Sequence, residues 1–361
     1  MAASFLQGWR TRVIICRTPL RVSYFGGGTD YPAWYREHGG GVLATTINKY
    51  CYLTCRYLPP FFEHRIRLVY RRIELCKTVD EIRHPAVRAA LQFLNEDRGV
   101  ELHHDGDLPA RSGMGSSSAF VVGLLHVLHT LRGEPVTKER LAEESIYLEQ
   151  EVLQETVGSQ DQVLAAHGGF NHVRFLPSGE IRVKPMKLPA ARLRELQAHL
   201  MLFYTGIART ASDVARSYAS DLAARSRQLR AMQEFLDEAV PLLRSGKDIE
   251  AFGDLLHEAW QVKRSLSGKV SSPAVDELYH KARAAGAIGG KLTGAGGGGF
   301  LLLFVPPDRQ AVVRAALEPL LWVPFQMEPA GSQILFAQPG AVEAPAWSRT
   351  SPASKEPSHA A

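Results

Sequence analysis

The stretch Asp107-Leu-Pro-Ala-Arg-Ser-Gly-Met-Gly-Ser-Ser-Ser-Ala-Phe120 joins a glycine- and serine-rich loop to a run of apolar residues. The apolar residues recur at the spacing of a helix packed on a core: Phe120, Val121, Leu124, Leu125, Leu128 and Leu131. Because the first turn of a helix has unpaired N–H groups and the positive end of the dipole, this pattern favours a bound anion such as a nucleotide phosphate. Composition alone also allows a flexible linker, but the long helix disfavours it. The loop is not a Walker A motif, since no Lys-Ser or Lys-Thr follows the last glycine.

The composition is that of a globular protein. The chain has 361 residues, of which 45% are hydrophobic and 22% charged, enough for one large domain or two joined lobes. The formal net charge of +5 is scattered, so we expect no nucleic-acid partner, although a mild positive excess suits phosphate substrates. We find neither a leader peptide nor an apolar run of membrane-spanning length, and we expect a cytoplasmic protein without a membrane partner.

The chain has four cysteines, Cys16, Cys51, Cys55 and Cys76. Cys51 and Cys55 are four residues apart, but no second cysteine or histidine pair completes a zinc pattern. We therefore expect free, buried thiols.

The hydrophobic pattern predicts strands in the first half of the chain and long helices in the second. Among these predictions are a single strand over residues 65–75 and a continuous helix over residues 212–244. A helix over residues 137–153 is predicted to begin at Thr137 as its cap. Residues 333–336 are predicted to form a closing strand. The tail over residues 338–361 is rich in Ala, Pro, Ser and Glu and is predicted to be disordered.

Three stretches resemble, in the right order, the motifs of the GHMP kinases, a family that includes galactokinase, homoserine kinase, mevalonate kinase and phosphomevalonate kinase. They are Arg17-Thr-Pro-Leu-Arg-Val-Ser-Tyr-Phe-Gly-Gly-Gly-Thr-Asp-Tyr31, Pro109-Ala-Arg-Ser-Gly-Met-Gly-Ser-Ser-Ser-Ala119 and Gly290-Lys-Leu-Thr-Gly-Ala-Gly-Gly-Gly-Gly-Phe300. The heptose 7-phosphate kinases are the branch that the chain resembles most. They also share Gln-Asp-Gln followed by Gly-Gly-Phe-Asn, which end here at Gln162 and Asn171.

The resemblance implies an α+β fold of two lobes with the active site between them. We expect a ribosomal-S5-like N-terminal lobe over residues 1–190, which contains the phosphate-binding loop 109–119. A ferredoxin-like C-terminal lobe with added helices is expected over residues 191–337. Oligomeric state is left open.

The resemblance also implies ATP and Mg²⁺ as cofactors. The residues expected at ATP are Pro109, Arg111, Ser112, Gly113, Met114, Gly115, Ser116, Ser117 and Ser118. For Mg²⁺ the family pattern implies the hydroxyl of Ser117 and the carboxylate of Glu149, which are hard oxygen ligands of the kind that this ion prefers. Glu151 remains an alternative to Glu149.

For the reaction itself, the family positions imply that Asp161 faces the acceptor hydroxyl and that Arg21 stabilises the charges beside it. Arg209 is expected to pair with the distal phosphate of a sugar phosphate, a role that suits a forked guanidinium. The full set of residues expected at the substrate is Gly27, Gly28, Thr29, Asp30, Gly168, Gly169, Arg209, Gly296 and Gly297.

These implications lead to one expected function and two alternatives. The expected function is an ATP-dependent kinase that phosphorylates the anomeric hydroxyl of D-glycero-D-manno-heptose 7-phosphate. The alternatives are a kinase for another sugar, such as a hexose or hexosamine, and a catalytically silent protein that senses sugar and nucleotide. Two departures from the family pattern bear on the choice. Met114 replaces a leucine, and Val157-Gly-Ser159 replaces a Gly-Gly-Lys, which removes a lysine before Gln160.

Overall fold

The computed structural model describes residues 12–207, 211–219 and 221–338, which form two β-sheets with helices packed on them. The strands are β1 (Ile14–Phe25), β2 (Gly40–Tyr57), β3 (Ile66–Val69), β4 (Ile73–Cys76), β5 (Val100–Gly106), β6 (Phe170–Phe175), β7 (Ile181–Pro185), β8 (Leu200–Tyr204), β9 (Gly289–Leu292), β10 (Phe300–Phe304), β11 (Leu321–Trp322) and β12 (Gln333–Ala337). The helices are α1 (Pro32–His38), α2 (Pro85–Phe93), α3 (Ser116–Arg132), α4 (Lys138–Tyr147), α5 (Gln160–His167), α6 (Ala190–Ala198), α7 (Ala211–Ala219), α8 (Ser226–Arg244), α9 (Glu250–Arg264), α10 (Pro273–Ala284) and α11 (Gln310–Ala316).

The larger sheet has eight strands and forms the N-terminal lobe. Its main path runs β12-β1-β2-β5-β3-β4, while β6 pairs with β2 and β7 pairs with β6. Helix α3 packs on this sheet through the apolar side chains that follow the glycine loop, of which Leu125 and Val127 are fully buried. Burying such side chains stabilises the fold by about 1.5–3 kcal/mol each. The start of α3 is thereby held rigidly at one end of the sheet.

The smaller sheet has four antiparallel strands in the order β11-β8-β10-β9 and belongs to the C-terminal lobe. A second core cluster, with Trp260 and Tyr279 among its largest members, packs between this sheet and the helices. Helix α9 and strand β9 lie together in this lobe, and each contributes a side chain to the cavity described below.

The closing strand β12 corrects the predicted lobe boundary. It pairs antiparallel with β1, with Ile14 opposite Ala337, so the end of the 191–337 segment returns to the N-terminal sheet. A strand of five residues carries no signal for the sheet that it will join. Because β1 has an edge free for pairing, the last strand completes it. Residues 339–361 of the predicted disordered tail lie outside the described part of the chain.

Two elements that were predicted to be continuous are each divided in the structure. Residues 65–75 form two strands, because the chain turns at Tyr70, whose N–H donates to the carbonyl of Arg72 at 2.9 Å. The predicted helix over residues 212–244 is divided into α7 and α8, and between them Asp221 accepts a hydrogen bond from the N–H of Ala224. Helix α1 and strand β9 were not predicted.

The predictions for the Thr137 cap and for the four cysteines are confirmed. The side chain of Thr137 caps α4 by accepting a hydrogen bond from the N–H of Arg140 at 3.2 Å. All four cysteines are free and buried. Within the described ranges, no helix combines the length and the apolar character that crossing a bilayer would require.

Candidate active site

A cavity of about 470 Å³ opens between the two lobes. The N-terminal lobe lines it with the end of β1, the glycine loop before α3 and the first turn of α5. The C-terminal lobe lines it from α7, α9, β9 and the loop after β9. The cavity therefore lies where two glycine-rich loops face each other.

The glycine loop reaches the cavity through the start of α3. Gly115 is the residue before the helix, and the side chains of Ser116, Ser117 and Ser118 follow on the cavity wall. Gly113 has a φ of 78°, and a Cβ there would lie 2.6 Å from the carbonyl oxygen of Thr293 in the C-terminal lobe. A side chain at this position would therefore force the two lobes apart.

Not every residue of the predicted ATP-binding stretch points into the cavity. Arg111, Gly113 and Gly115 line it, whereas Met114 is completely buried in the core and only its carbonyl is used, as acceptor of the Arg21 N–H at 3.1 Å. Ser112 is also buried, and Pro109 is exposed outside the cavity wall.

Arg21 and Asp161, which the motifs predicted as catalytic, are joined directly. Arg21 on β1 donates two parallel hydrogen bonds to Asp161 on α5, from Nε to Oδ1 and from Nη2 to Oδ2, each 2.6 Å long. Its third donor, Nη1, reaches the carbonyl of Gly113 at 2.6 Å. Bidentate pairs of this kind fix orientation as well as charge. Asp161 is thus held against the glycine loop before α3, and its Oδ2 would lie 3.3 Å from a Cβ on Gly115.

Asp30 lies in the wall beside this pair and is almost fully buried. Its Oδ1 accepts from the N–H of Gly28 at 2.8 Å, and its Oδ2 accepts from the N–H of Gln160 at 3.3 Å. Burial raises the pKa of the Asp30 carboxyl, and the charge of Asp161 raises it further. The segment before α5 packs so tightly that a Cβ on Gly158 would lie 1.9 Å from Asp30 Oδ2.

Glu149 lies in a π-helical turn, Leu148–Val152, which continues α4. It is completely buried, and its Oε2 accepts hydrogen bonds from Ser118, at 2.7 Å, and from Gln162. Burial raises the pKa of the Glu149 carboxyl to about 8. Its Oε1 is buried without a hydrogen-bond partner in the described part of the chain, an arrangement that a bound cation would satisfy. Glu151, by contrast, is exposed.

The structure brings the glycines of the first motif, Gly27 and Gly28, to the cavity, but several predicted substrate residues lie elsewhere. Thr29 is fully buried, and its hydroxyl donates to the carbonyls of Gly26 and Gly41, so its role is to hold the turn after β1. Arg209 lies outside the described residues.

The later glycines depart from the prediction as well. Gly168 and Gly169 line a separate cavity of about 870 Å³, because Gly168 turns the chain out of α5 and packs against Ala330. Gly296 and Gly297 pack against Val270, so in the C-terminal glycine loop the cavity is lined by two earlier residues, Gly294 and Ala295.

Two lysines of the C-terminal lobe were not predicted. Lys263 on α9 and Lys291 on β9 line the cavity, although each is 4% exposed. Lys263 donates to the carbonyl of Gly294, and Lys291 donates to the carbonyl of Tyr24 at 2.8 Å. Burial lowers both pKa values, that of Lys263 to about 8. Lys291 stands inside the third glycine motif, so its position could have been noticed, whereas Lys263 lies in a helix with no motif.

The chain is similar in both halves to one family of known proteins. Residues 83–169 match the N-terminal domain of the GHMP kinases, and residues 230–320 match their C-terminal domain. Over 320 residues the chain is 28% identical to the D-glycero-alpha-D-manno-heptose 7-phosphate kinase of Campylobacter jejuni, an alignment that covers 83% of this chain and 91% of that protein.

Solved structures agree with the predicted two-lobed fold. A D-glycero-D-manno-heptose 1-phosphate kinase from Bacteroides thetaiotaomicron has a TM-score of 0.74 at 24% identity, with 90% of this chain and 99% of that chain covered. A putative sugar kinase from Campylobacter jejuni has a TM-score of 0.67 at 26% identity, with 89% and 98% covered. The chain therefore belongs to the GHMP kinase family, shares its two-lobed α+β fold and is a kinase that uses ATP as the phosphate donor.

Proposed function

We propose that this kinase transfers the γ-phosphoryl group of ATP to the anomeric hydroxyl of a heptose phosphate, most specifically D-glycero-D-manno-heptose 7-phosphate. The observation that carries the proposal is the position of Asp161. This carboxylate is held by Arg21 between the start of α3, where we place the phosphates of ATP, and the buried carboxylate of Asp30. Such a placement suits a kinase whose acceptor is a polyhydroxyl compound.

The donor side is built from the start of α3. The N–H groups of its first turn and the hydroxyls of Ser116 and Ser117 are available to the phosphates of ATP. We infer that Ser117 and Glu149 would hold Mg²⁺, with Ser118 orienting the Glu149 carboxylate. When bound, the ion neutralises charge on the phosphates. The exposure of Glu151 argues against it as the ligand.

The acceptor side is built from two carboxylates. Asp30 has both oxygens fixed by backbone N–H groups, and it is suited to accept hydrogen bonds from sugar hydroxyls. Asp161 would accept the hydrogen bond of the attacking hydroxyl and take its proton as the new O–P bond forms and the bond to ADP breaks. Arg21 keeps the carboxylate in place and supplies positive charge beside the transferred group.

The choice of acceptor rests on the relatives. One is a heptose 7-phosphate kinase and another a heptose 1-phosphate kinase, so the two names differ in the position of the acceptor's phosphate. The chain is also 28% identical to an L-fucokinase/L-fucose-1-P guanylyltransferase of Bacteroides fragilis, of which it covers 36%. A hexose or hexosamine kinase is therefore the second candidate. The Asp161–Arg21 pair disfavours a catalytically silent binder.

The decisive experiment is a coupled assay of ADP release over a panel of acceptors at saturating ATP and Mg²⁺. The panel contains heptose, heptose 7-phosphate, heptose 1-phosphate, fucose, galactose and N-acetylglucosamine, so that each heptose phosphate is compared with the free sugar. The proposal expects the largest kcat/KM with heptose 7-phosphate and a 1,7-bisphosphate as product. A preference for an unphosphorylated sugar would contradict the heptose phosphate assignment, and ADP release with none of them would contradict the proposed function.

A further inference from the structure

The feature that the proposed function leaves unexplained is the pair of buried lysines in the active-site cavity. Lys263 and Lys291 are almost fully buried, and among the described residues neither forms a salt bridge with a carboxylate. Their hydrogen bonds go to backbone carbonyls, of Gly294 and Tyr24 respectively. Burying a charged ammonium group is costly unless a counter-charge meets it. Two such groups on one cavity wall therefore indicate an anion that the substrate brings.

The charges around the lysines support this conclusion. Asp161 is already paired with Arg21 through two hydrogen bonds. Its negative charge is therefore largely used by Arg21 and does little to compensate the charge of the two lysines. Asp30 is the buried carboxylate among the described residues that line the cavity, and burial disfavours its charged form. The lysines also act on each other, since the charge of Lys263 lowers the pKa of Lys291. The inner wall thus holds three basic side chains, Arg21, Lys263 and Lys291, against two carboxylates, Asp30 and Asp161.

A series of contacts connects Lys263 to the residues of the proposed site of transfer. Lys263 donates to the carbonyl of Gly294, and a Cβ on Gly294 would lie 2.7 Å from the carbonyl oxygen of Gly113. That same carbonyl accepts the Nη1 hydrogen bond of Arg21, whose other donors hold Asp161. Lys263 is thus connected to the phosphate loop on one side and to the proposed acceptor-orienting carboxylate on the other.

We propose that Lys263 and Lys291 bind the phosphoryl group that is transferred, and that with Arg21 they stabilise the charge on its oxygens as it passes from ATP to the acceptor. This inference rests on the proposed function for its setting and deepens it. A fixed positive charge at the transferred group stabilises the transition state more than the ground state, because it needs no reorganisation during the reaction. A phosphate elsewhere on the acceptor is the competing ligand for the same charges.

Nucleotide binding alone can distinguish whether the lysines bind the transferred phosphoryl group of ATP or a phosphate on the acceptor. Lys263→Met and Lys291→Met remove the charge and keep the length of the side chain, while Lys269→Met removes an exposed lysine of the same lobe as a control. Dissociation constants for ADP and for β,γ-imido-ATP are measured by titration calorimetry with Mg²⁺. We expect the preference for the triphosphate over ADP to fall about tenfold or more in the first two variants, the loss expected for a charge-assisted hydrogen bond. ADP affinity should stay within about threefold of the wild type, and the control should match the wild type.

Steady-state kinetics supply the second measurement. In Lys263→Met, kcat should fall by about 10²–10³-fold, as for loss of a donor to a developing charge, with little change in KM for the acceptor. Lys263→Arg keeps the charge and should recover part of the loss. A raised acceptor KM with unchanged kcat and an unchanged triphosphate preference would overturn the proposal in favour of an acceptor phosphate.

The binding experiment does not depend on the acceptor's identity. If no sugar is phosphorylated but the triphosphate preference falls as expected, the proposed function fails and the assignment of the lysines stands. If heptose 7-phosphate is phosphorylated and the preference is unchanged in both methionine variants, the lysine assignment fails alone. If Lys263→Met also loses ADP binding, the preference for β,γ-imido-ATP over ADP is measured in Lys263→Gln and Lys291→Met instead. A fall in that preference supports the lysine assignment, and an unchanged preference contradicts it.

Discussion

Asp161 is the residue whose removal tests the reaction most directly. Replacing it with asparagine keeps the shape but removes the charge and the capacity to accept a proton. We expect Asp161→Asn to lower kcat by about 10²–10⁴-fold, the contribution of a positioned acid or base, and to leave ATP affinity close to that of the wild type. Asp237→Asn is the matched control, since Asp237 is exposed on α8 and contacts Gln233. An Asp161→Asn enzyme within a few-fold of the wild type would remove this residue from the mechanism.

A second prediction at the scale of single residues concerns the proposed metal ligands. Ser117→Ala and Glu149→Gln should each slow the reaction and raise the Mg²⁺ concentration needed for half-maximal rate, because each removes a hard oxygen ligand. High Mg²⁺ should restore part of the rate. Glu151→Gln is the control, because Glu151 is exposed on the same turn and its loss should leave the Mg²⁺ titration unchanged. A defect confined to Glu151→Gln would place the ligand two residues later.

At the scale of elements, the segment that leads into α5 determines where Asp30 can lie. The N–H of Ser159 donates to the Asp30 carbonyl at 2.9 Å, and a Cβ on Gly158 would lie 1.9 Å from Asp30 Oδ2. Gly158→Ala must therefore displace Asp30, and we expect the acceptor KM to rise at least about tenfold. The overpacking should also reduce the free energy of unfolding by about 1–3 kcal/mol.

Gly268→Ala provides the comparison for this variant, because a Cβ at Gly268 would meet nothing within 4 Å. Its acceptor KM and its unfolding free energy should both match the wild type, the latter within about 0.5 kcal/mol. Equal acceptor KM values for the two alanine variants would mean that Asp30 does not contact the acceptor.

Some elements of the fold were predictable from the sequence and others were not. The helix after the glycine loop and the long strands β1 and β2 were predictable, because their signals are local: periodicity, β-branched residues and glycine position. The division between α7 and α8 was missed because apolar residues on both sides keep helical spacing. The Asp30–Gly158 contact was missed because a glycine in a loop gives no sign of the atom that occupies the space beside it.

At the scale of the whole molecule, the information that the sequence lacked concerns contacts between the lobes. Arg21 and Asp161 could be paired in prediction because both stand in motifs. The position of Lys263 could not be predicted, because a lysine in an ordinary amphipathic helix is usually interpreted as a surface residue. In the structure it lies on the buried side of α9. Only the packing of α9 against β9 brings its ammonium group to the cavity. The lobe boundary was missed for the same reason, because β12 joins a sheet that lies far away in sequence.

The buried lysine also affects the stability of the molecule. Burial lowers the pKa of Lys263 from 10.5 to about 8, so between these pH values the unfolded chain binds more protons than the folded one. The free energy of unfolding should then rise with pH across this window, and the full cost of the buried charge should be present below pH 8. Arg21 and Lys291 reinforce that cost, while Asp30 and Asp161 oppose it.

Lys263→Met should therefore be more stable than the wild type at pH 7, by up to about 3 kcal/mol, less about 1 kcal/mol for the lost hydrogen bond to Gly294. The difference should shrink as pH rises towards 10.5, whereas Lys269→Met should follow the wild type throughout. Denaturant unfolding at pH 7 and pH 10 measures this. In the same window kcat/KM for ATP of the wild type should fall as Lys263 loses its proton. A methionine variant less stable than the wild type at pH 7 would show that the ammonium group is already compensated in the free enzyme. A more stable and less active variant would show a buried charge that destabilises the fold and is used only when the phosphoryl group is bound.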